Sequence, residues 1–168
     1  MTMQKLFLTF FGAGTSPKYS EIITLGLALP IGIALLYTMG EETLFMMILI
    51  AGVIAIFEIN KYENALLADN TDASSTNEIV IDKVVGLWLS LLIPYTTALS
   101  LGFPYVQELA LFFSFISFYL FDTWKPSTIG WIVKNVEGGL GKIGSATLSG
   151  FAAGFLTIVI LTGIGKLF

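Results

Sequence analysis

"EIVIDKVVGLWLSLLIP", residues 78–94, sets Glu78, Asp82 and Lys83 directly before a long apolar run. A run of this kind reads as the start of a membrane helix, and hydrocarbon penalises charge. The charges therefore mark either an ordinary interface or a site. The remainder of the chain decides between them.

Composition sets the class. The 168 residues are 55 % apolar and only 12 % charged, and the mean hydropathy is +0.86. A soluble domain carries about 25 % charged residues. The length suits one membrane domain spanning residues 1–168. The chain has no cysteine and no histidine, and all eight basic residues are lysines. Disulfides, thiolate metal sites, imidazole bases and guanidinium clamps on phosphate are thereby excluded. An isoelectric point near 4.6 speaks against a nucleic-acid partner.

Hydropathy predicts an all-α, polytopic membrane helical bundle with about five spans, at 22–39, 44–57, 84–101, 105–121 and 147–164. Pro30 is the expected kink of the first. The second is short and is expected to borrow flanking residues or to tilt little, and Glu108 interrupts the first turn of the fourth. Gly150, Ala153 and Gly154 suit the last to close helix packing. "KLFLTFFG" (5–12) is too short to span and carries no cleavage pattern, so it is expected to lie at the interface or re-enter.

With alternating sides, Lys5, Lys18, Lys61, Lys83, Lys125, Lys134 and Lys142 fall on one face and only Lys166 on the other. That bias predicts a cytoplasmic lysine-rich face, with the N-terminus in and the C-terminus out. Asp82, Asp122, Ser145 and Glu58 all sit near span ends on that face. Polar residues meeting at one depth of a membrane protein suggest a site.

Each stretch also has a plainer reading. Glu78 and Asp82 share a face if the helix begins before Asp82, yet carboxylates at a helix start are also ordinary complements to its dipole. In "FDTWKPSTIGW" (121–131), Asp122 lies at a helix end where the dipole disfavours it, so a lysine or cation partner is expected. Pro126 ends the helix there, and Trp124 and Trp131 read as interfacial anchors. In "EGGLGKIGS" (137–145) the glycines suit backbone N–H groups aimed at an anion, or simply a flexible turn. The Gly-to-Lys spacing is not that of a nucleotide-binding loop. "ADNTDASSTN" (68–77) lacks the glycine and closing glutamate of a calcium loop and reads as a mobile connection.

Together these stretches resemble the phosphatidylglycerophosphatase A family. "GAGTSPK" (12–18) is similar to its Gly-x-Gly-x-x-Pro stretch, and "EIVIDKVVGLW" (78–88) to Ile-Val-x-Asp-Glu-x-x-Gly. "FYLFDTWKP" (118–126) resembles Phe-Arg-x-x-Asp-x-x-Lys-Pro. "GGLGKIGSATLSG" (138–150) resembles Gly-Gly-x-Gly followed by Asp-Asp and Ala-Gly. The departures concern charge. Lys83 stands for Glu, Tyr119 for Arg, Val133 for Asp, Ser145-Ala146 for Asp-Asp, and "YSEI" (19–22) for an x-Pro-Gly-Thr stretch.

The resemblance implies a lipid phosphatase of the bacterial inner membrane that converts phosphatidylglycerophosphate to phosphatidylglycerol with Mg²⁺. It implies catalytic roles for Asp82, Asp122 and Lys125. It also implies an anionic phospholipid held by Lys125, Gly138, Gly139, Gly141 and Lys142, and metal ligation by Asp82, Asp122, Glu78 and Glu63. The replaced charges imply weak or absent turnover in this chain. Lys83 is then expected to reach Asp122 or another acid in the place where the family would hold metal. A non-catalytic protein of the same fold, binding anionic headgroups through Lys83, Lys125, Lys134 and Lys142, is the alternative. A transporter is disfavoured, because no inverted repeat is apparent and the polar residues collect at one face.

Overall fold

The computed structural model describes residues 2–16, 18–68, 78–102 and 105–166. Among them the regular structure is helical: α1 (Met3–Leu8), α2 (Ser20–Ala68), α3 (Ile81–Leu101), α4 (Val106–Trp124), α5 (Ser127–Asn135) and α6 (Gly138–Gly165). Four of these helices, α2, α3, α4 and α6, are long and apolar enough to cross a membrane. The first of them is broken at Gly40, whose φ of 83° and ψ of 170° are not helical. The break divides α2 into segments 20–39 and 41–68, so five segments run between the two ends of an all-α bundle. Pro30 lies inside the first segment, and the turn between the two segments falls at Gly40.

Segment 41–68 shows why a membrane is needed. Leu44, Ile48, Gly52, Ala55 and Ile59 face the bundle, while Phe45, Leu49, Val53 and Phe57 lie exposed on the other side. A helix apolar on all sides has no face for water. The segment then continues about three turns past Phe57, which makes Glu58, Lys61 and Glu63 helical rather than part of a loop. Of the stretch 68–77, all but its first residue lies outside the described residues.

The short N-terminal helix does not cross, since six residues rise only about 9 Å. Thr2 caps it by accepting a hydrogen bond from the Lys5 N–H. Leu8 and Phe10 are buried, Phe11 is exposed, and the Leu8 carbonyl accepts from the Val80 N–H at 3.0 Å. That bond ties the N-terminal segment to the entrance of α3.

Helix α3 is the axis of the bundle and packs on α2, α4 and α6. Two-thirds of its most apolar window is buried, against 28–39 % for the other three. Its contacts are close because small residues stand where helices cross. A Cβ on Gly86 would lie 2.5 Å from the Ala146 carbonyl oxygen and 2.6 Å from the Phe118 ring. Gly32 leaves a notch for the Trp88 ring, whose N–H donates to the Ala28 carbonyl at 2.9 Å. Buried hydroxyls of Thr24, Ser90, Ser114, Ser149 and Thr157 donate to carbonyls of their own helices, so none needs water.

At the lysine-rich end, Lys125 closes α4 in the left-handed region with φ 46°, and Pro126 prevents the helix from continuing. Helix α5 follows and packs on α6, with only Ile129 buried and Trp131 exposed. Helix α6 starts at Gly138, earlier than hydropathy alone suggests, so "GGLGK" forms its first turns. Asn60 accepts a hydrogen bond from the Gly139 N–H at 2.8 Å, fixing this start against α2.

Overpacking of a tight crossing costs about 1–3 kcal/mol. Gly86→Ala is therefore expected to lower thermal stability in detergent by about that amount. Gly26→Ala, where an added Cβ meets nothing within 4 Å, serves as the comparison. Equal stability of the two variants would show that the α3–α6 crossing is not tight.

Candidate functional site

The helix ends at the lysine-rich side surround a pocket of about 770 Å³. Its walls come from the start of α2 (Lys18 to Ile22), the end of α2 (Glu63, Leu66, Leu67) and the start of α3 (Ile79, Asp82, Lys83). The end of α4 (Tyr119, Lys125), α5 (Val133) and the start of α6 (Val136 to Gly138, Gly141, Lys142, Ser145) complete them.

Its centre is the stretch that opened the sequence. Helix α3 begins at Ile81, and Asp82 and Lys83 are buried in its first turn. The Lys83 ammonium donates to Asp122 Oδ2 at 2.5 Å, and both side chains are only 8 % exposed. Glu21 Oε1 stands 3.6 Å from the same nitrogen but is more than half exposed. The expected partner of Asp122 at its unfavourable helix end is thus Lys83. Asp82, its neighbour, points elsewhere, and its Oδ1 is buried without a hydrogen-bond partner among the described residues.

The other candidates separate. Glu63 and Lys142 line the pocket and pair with each other at 3.2 Å. Lys125, Gly138 and Gly141 also line it. Gly139 does not line it, and its N–H is spent on Asn60. A Cβ on Gly139 would lie 2.4 Å from the Ile56 carbonyl oxygen, so this glycine serves the α2–α6 contact. Asp122 stands behind Lys83 rather than in the pocket wall. Glu78 precedes α3 and pairs with Lys5 at 2.6 Å, so it does not share a helical face with Asp82. The hydrogen bond to Glu78 holds the Lys5 ammonium above its ordinary pKa despite some desolvation. Glu58 offers its carbonyl to Gln4 at 3.1 Å and takes no part.

Two residues escaped the sequence reading. Asn60 caps α6 from another helix, and its only signal is an amide at the end of an apolar run. Glu21 joins Lys83, and its signal is an acid in the first turn of the first span, level with the start of the third.

The acids present do not fit a divalent centre. Among the described residues no three acidic side chains group closely enough to hold an ion. Lys5 engages Glu78, Lys142 engages Glu63 and Lys83 engages Asp122. Magnesium can make do with one or two carboxylates plus waters and phosphate. Here, however, the buried carboxylate oxygen with neither a hydrogen bond nor an ion pair among the described residues is Asp82 Oδ1, and Lys83 is its chain neighbour.

An all-α bundle whose long helices are apolar enough to cross a membrane, with a charged pocket at one end, defines a multi-pass membrane protein. The phosphatidylglycerophosphatase A family pattern matches residues 6–162, and the chain belongs to that family. Phosphatidylglycerophosphatase A of Escherichia coli (strain K12) is 27 % identical over 155 residues, covering 92 % of this chain and 79 % of that one. No solved structure matches. At the level of the family, the function is of the phosphatidylglycerophosphatase type, a phosphatase activity in phospholipid metabolism.

Removing one partner of a buried ion pair costs about 3–5 kcal/mol, and contacting residues couple by about 0.5–3 kcal/mol. Lys83→Ala and Asp122→Ala are expected each to destabilise strongly and to be non-additive in a double-mutant cycle of thermal unfolding. Glu21→Gln, at an exposed partner, is expected to change stability by about 1 kcal/mol or less. Additivity of the first two would mean that the pair contributes nothing as a unit.

Proposed function

We propose that this chain is a lipid phosphatase of the phosphatidylglycerophosphatase A type whose pocket takes the phosphate of phosphatidylglycerophosphate, with turnover weakened or lost. One observation carries the reading. Nearly all positions at which the chain departs from the family pattern, Tyr19 to Ile22, Lys83, Tyr119, Val133 and Ser145, line the same pocket. Ala146 is the exception and is fully buried. Changes gathered in one pocket fit a rewritten site better than they fit scattered drift.

Hydrolysis requires water to add to phosphorus while the bond to the glycerol oxygen breaks. Charge on the phosphoryl oxygens must be met, the water must lose a proton, and the departing glycerol oxygen must gain one, from the same acceptor or from solvent. Lys125 and Lys142 supply point charges, the start of α6 adds partial positive charge, and Asp82 Oδ1 is the acceptor for the proton. Tyr119, Val133 and Ser145 contribute no full charge. Each missing electrostatic partner is worth about 10²–10³ in rate, so several losses leave turnover near background.

The Lys83–Asp122 contact favours a second reading, in which the fold is kept to bind anionic headgroups without hydrolysing them. Lys83, Lys125 and Lys142 line the pocket in this reading, while Lys134 stands outside it on α5. Under either reading the bacterial inner membrane is the location, with the pocket facing the cytoplasm.

Phosphate release from phosphatidylglycerophosphate in mixed micelles, with and without magnesium, tests the proposal. The parent is expected near background. A variant combining Lys83→Glu, Tyr119→Arg, Val133→Asp and Ser145→Asp is expected to gain magnesium-dependent release, whereas single changes recover little because such groups act as a unit. Ala146→Asp is left out because it would bury an unpartnered carboxylate. Robust release by the parent would overturn the loss of turnover, and a folded but inert combined variant would overturn the assignment of the pocket.

Orientation has its own test, helped by the absence of native cysteine. Cysteines placed at Glu41 and at Lys134 are expected to differ toward an impermeant thiol reagent on intact cells, with labelling at Glu41 alone. Labelling at Lys134 alone would invert the protein.

A further inference from the structure

We propose that the Lys83 ammonium is the resident cation of this site. It stands where a divalent ion would have to bind, so the pocket accepts a phosphomonoester headgroup without metal. This rests on the phosphate-headgroup reading of the pocket and specifies the chemistry of that site.

The argument begins with the acids around Lys83. Glu21 comes from the first turn of α2, Asp122 from the last turn of α4, and Asp82 adjoins Lys83 in α3. With Lys83 between them, no three of these carboxylates group closely enough to hold an ion, yet acids from three elements facing one helix mouth call for a positive charge. The ammonium supplies it at 2.5 Å from Asp122 and 3.6 Å from Glu21. It is almost fully buried, so it is not a mobile surface charge that an arriving ion could push aside. A second cation would meet both that charge and a carboxylate already engaged.

The consequence for a ligand is specific. Asp122 is neutralised, and Asp82, whose Oδ1 is buried without a hydrogen-bond partner among the described residues, is one of the residues lining the pocket. An acceptor of that kind asks for a donor. A phosphomonoester carrying one proton offers an O–H to Asp82 while its remaining oxygens meet Lys125 and Lys142. Lys83 is then a positioning residue. It holds three elements together and leaves Asp82 to the ligand.

The test uses the full chain in detergent, with thermal unfolding followed in EDTA and across a Mg²⁺ titration, and Mn²⁺ binding read by electron paramagnetic resonance. The wild type and Lys83→Arg are expected to show no saturable response. Lys83→Gln removes the internal cation and is expected to acquire one, with unfolding raised about 5–10 °C at a hundredfold excess of ion over its dissociation constant. Saturable Mn²⁺ binding by the wild type would overturn the proposal, as would a folded Lys83→Gln that ignores both ions. Folding of Lys83→Gln only when Mg²⁺ is present would support it. If that variant folds in neither condition, the wild-type Mn²⁺ titration decides, with absence of binding in support.

Headgroup binding is measured on the same samples with nanodiscs of phosphatidylcholine, with and without phosphatidylglycerophosphate, and with inorganic phosphate as competitor. Wild-type binding that is equal in EDTA and in Mg²⁺ supports the proposal, and binding that requires Mg²⁺ overturns it. Competition by inorganic phosphate separates recognition of the phosphate group from recognition of the whole lipid. If no lipid binds in any condition, the headgroup reading fails, and the place of Lys83 is still judged by the metal titrations.

Discussion

A charge removed from water has to be met by another charge, and this requirement organises the pocket end of the protein. Lys83 is buried in the first turn of the most enclosed helix, and Asp122 meets it from the last turn of α4. A buried pair of this kind adds little net stability, but loss of either partner is costly. Its effect is to fix which helix ends can be neighbours. The start of α3 must stand beside the end of α4, and Glu21 brings the start of α2 to the same place.

Packing in the hydrocarbon supports that arrangement from below. Without a hydrophobic drive between helices in lipid, association depends on close contact. Gly86 against the Ala146 carbonyl, and Gly150 against the Gly86 carbonyl, let α3 and α6 approach backbone to backbone. Trp88 in the Gly32 notch does the same for α2 and α3. These contacts hold the helices along their lengths, and the helix mouths inherit their positions. The Asn60 bond to the start of α6 then sets the last wall of the pocket.

The fold was largely legible because a membrane writes long apolar runs, and each expected span corresponds to a helical segment. Helix boundaries were less legible. Glu58, Lys61 and Glu63 continue segment 41–68, and "GGLGK" begins α6, because contacts with neighbouring helices extend regular structure past the apolar limits. Pro30 stays inside segment 20–39, and the break between the first two spans falls between their expected limits, at Gly40, with a backbone angle that glycine adopts readily. At the site, helix-dipole reasoning and the family resemblance pointed to a partner for Asp122, and Lys83 is that partner. The fate of Glu78 could not be read. Whether it faced Asp82 or Lys5 depended on where α3 began, and the Leu8–Val80 backbone bond fixes the N-terminal segment there. Asn60 was invisible because a cap supplied from a distant helix leaves no local pattern.

The break at Gly40 bears on how the protein enters a bilayer. Segments 20–39 and 41–68 meet with no intervening loop, so in the proposed orientation the first acids to cross are Glu41 and Glu42 at the tip of a helical hairpin. Carboxylates have little influence on the direction of insertion, whereas lysines resist translocation. Lys18 lies before the hairpin and Lys61 lies near its far end, so the proposed orientation keeps the ends of both limbs on the side from which they started. The two limbs are then expected to insert as one unit. A lysine at the tip would set the two ends against each other, and biogenesis, rather than the finished fold, would suffer.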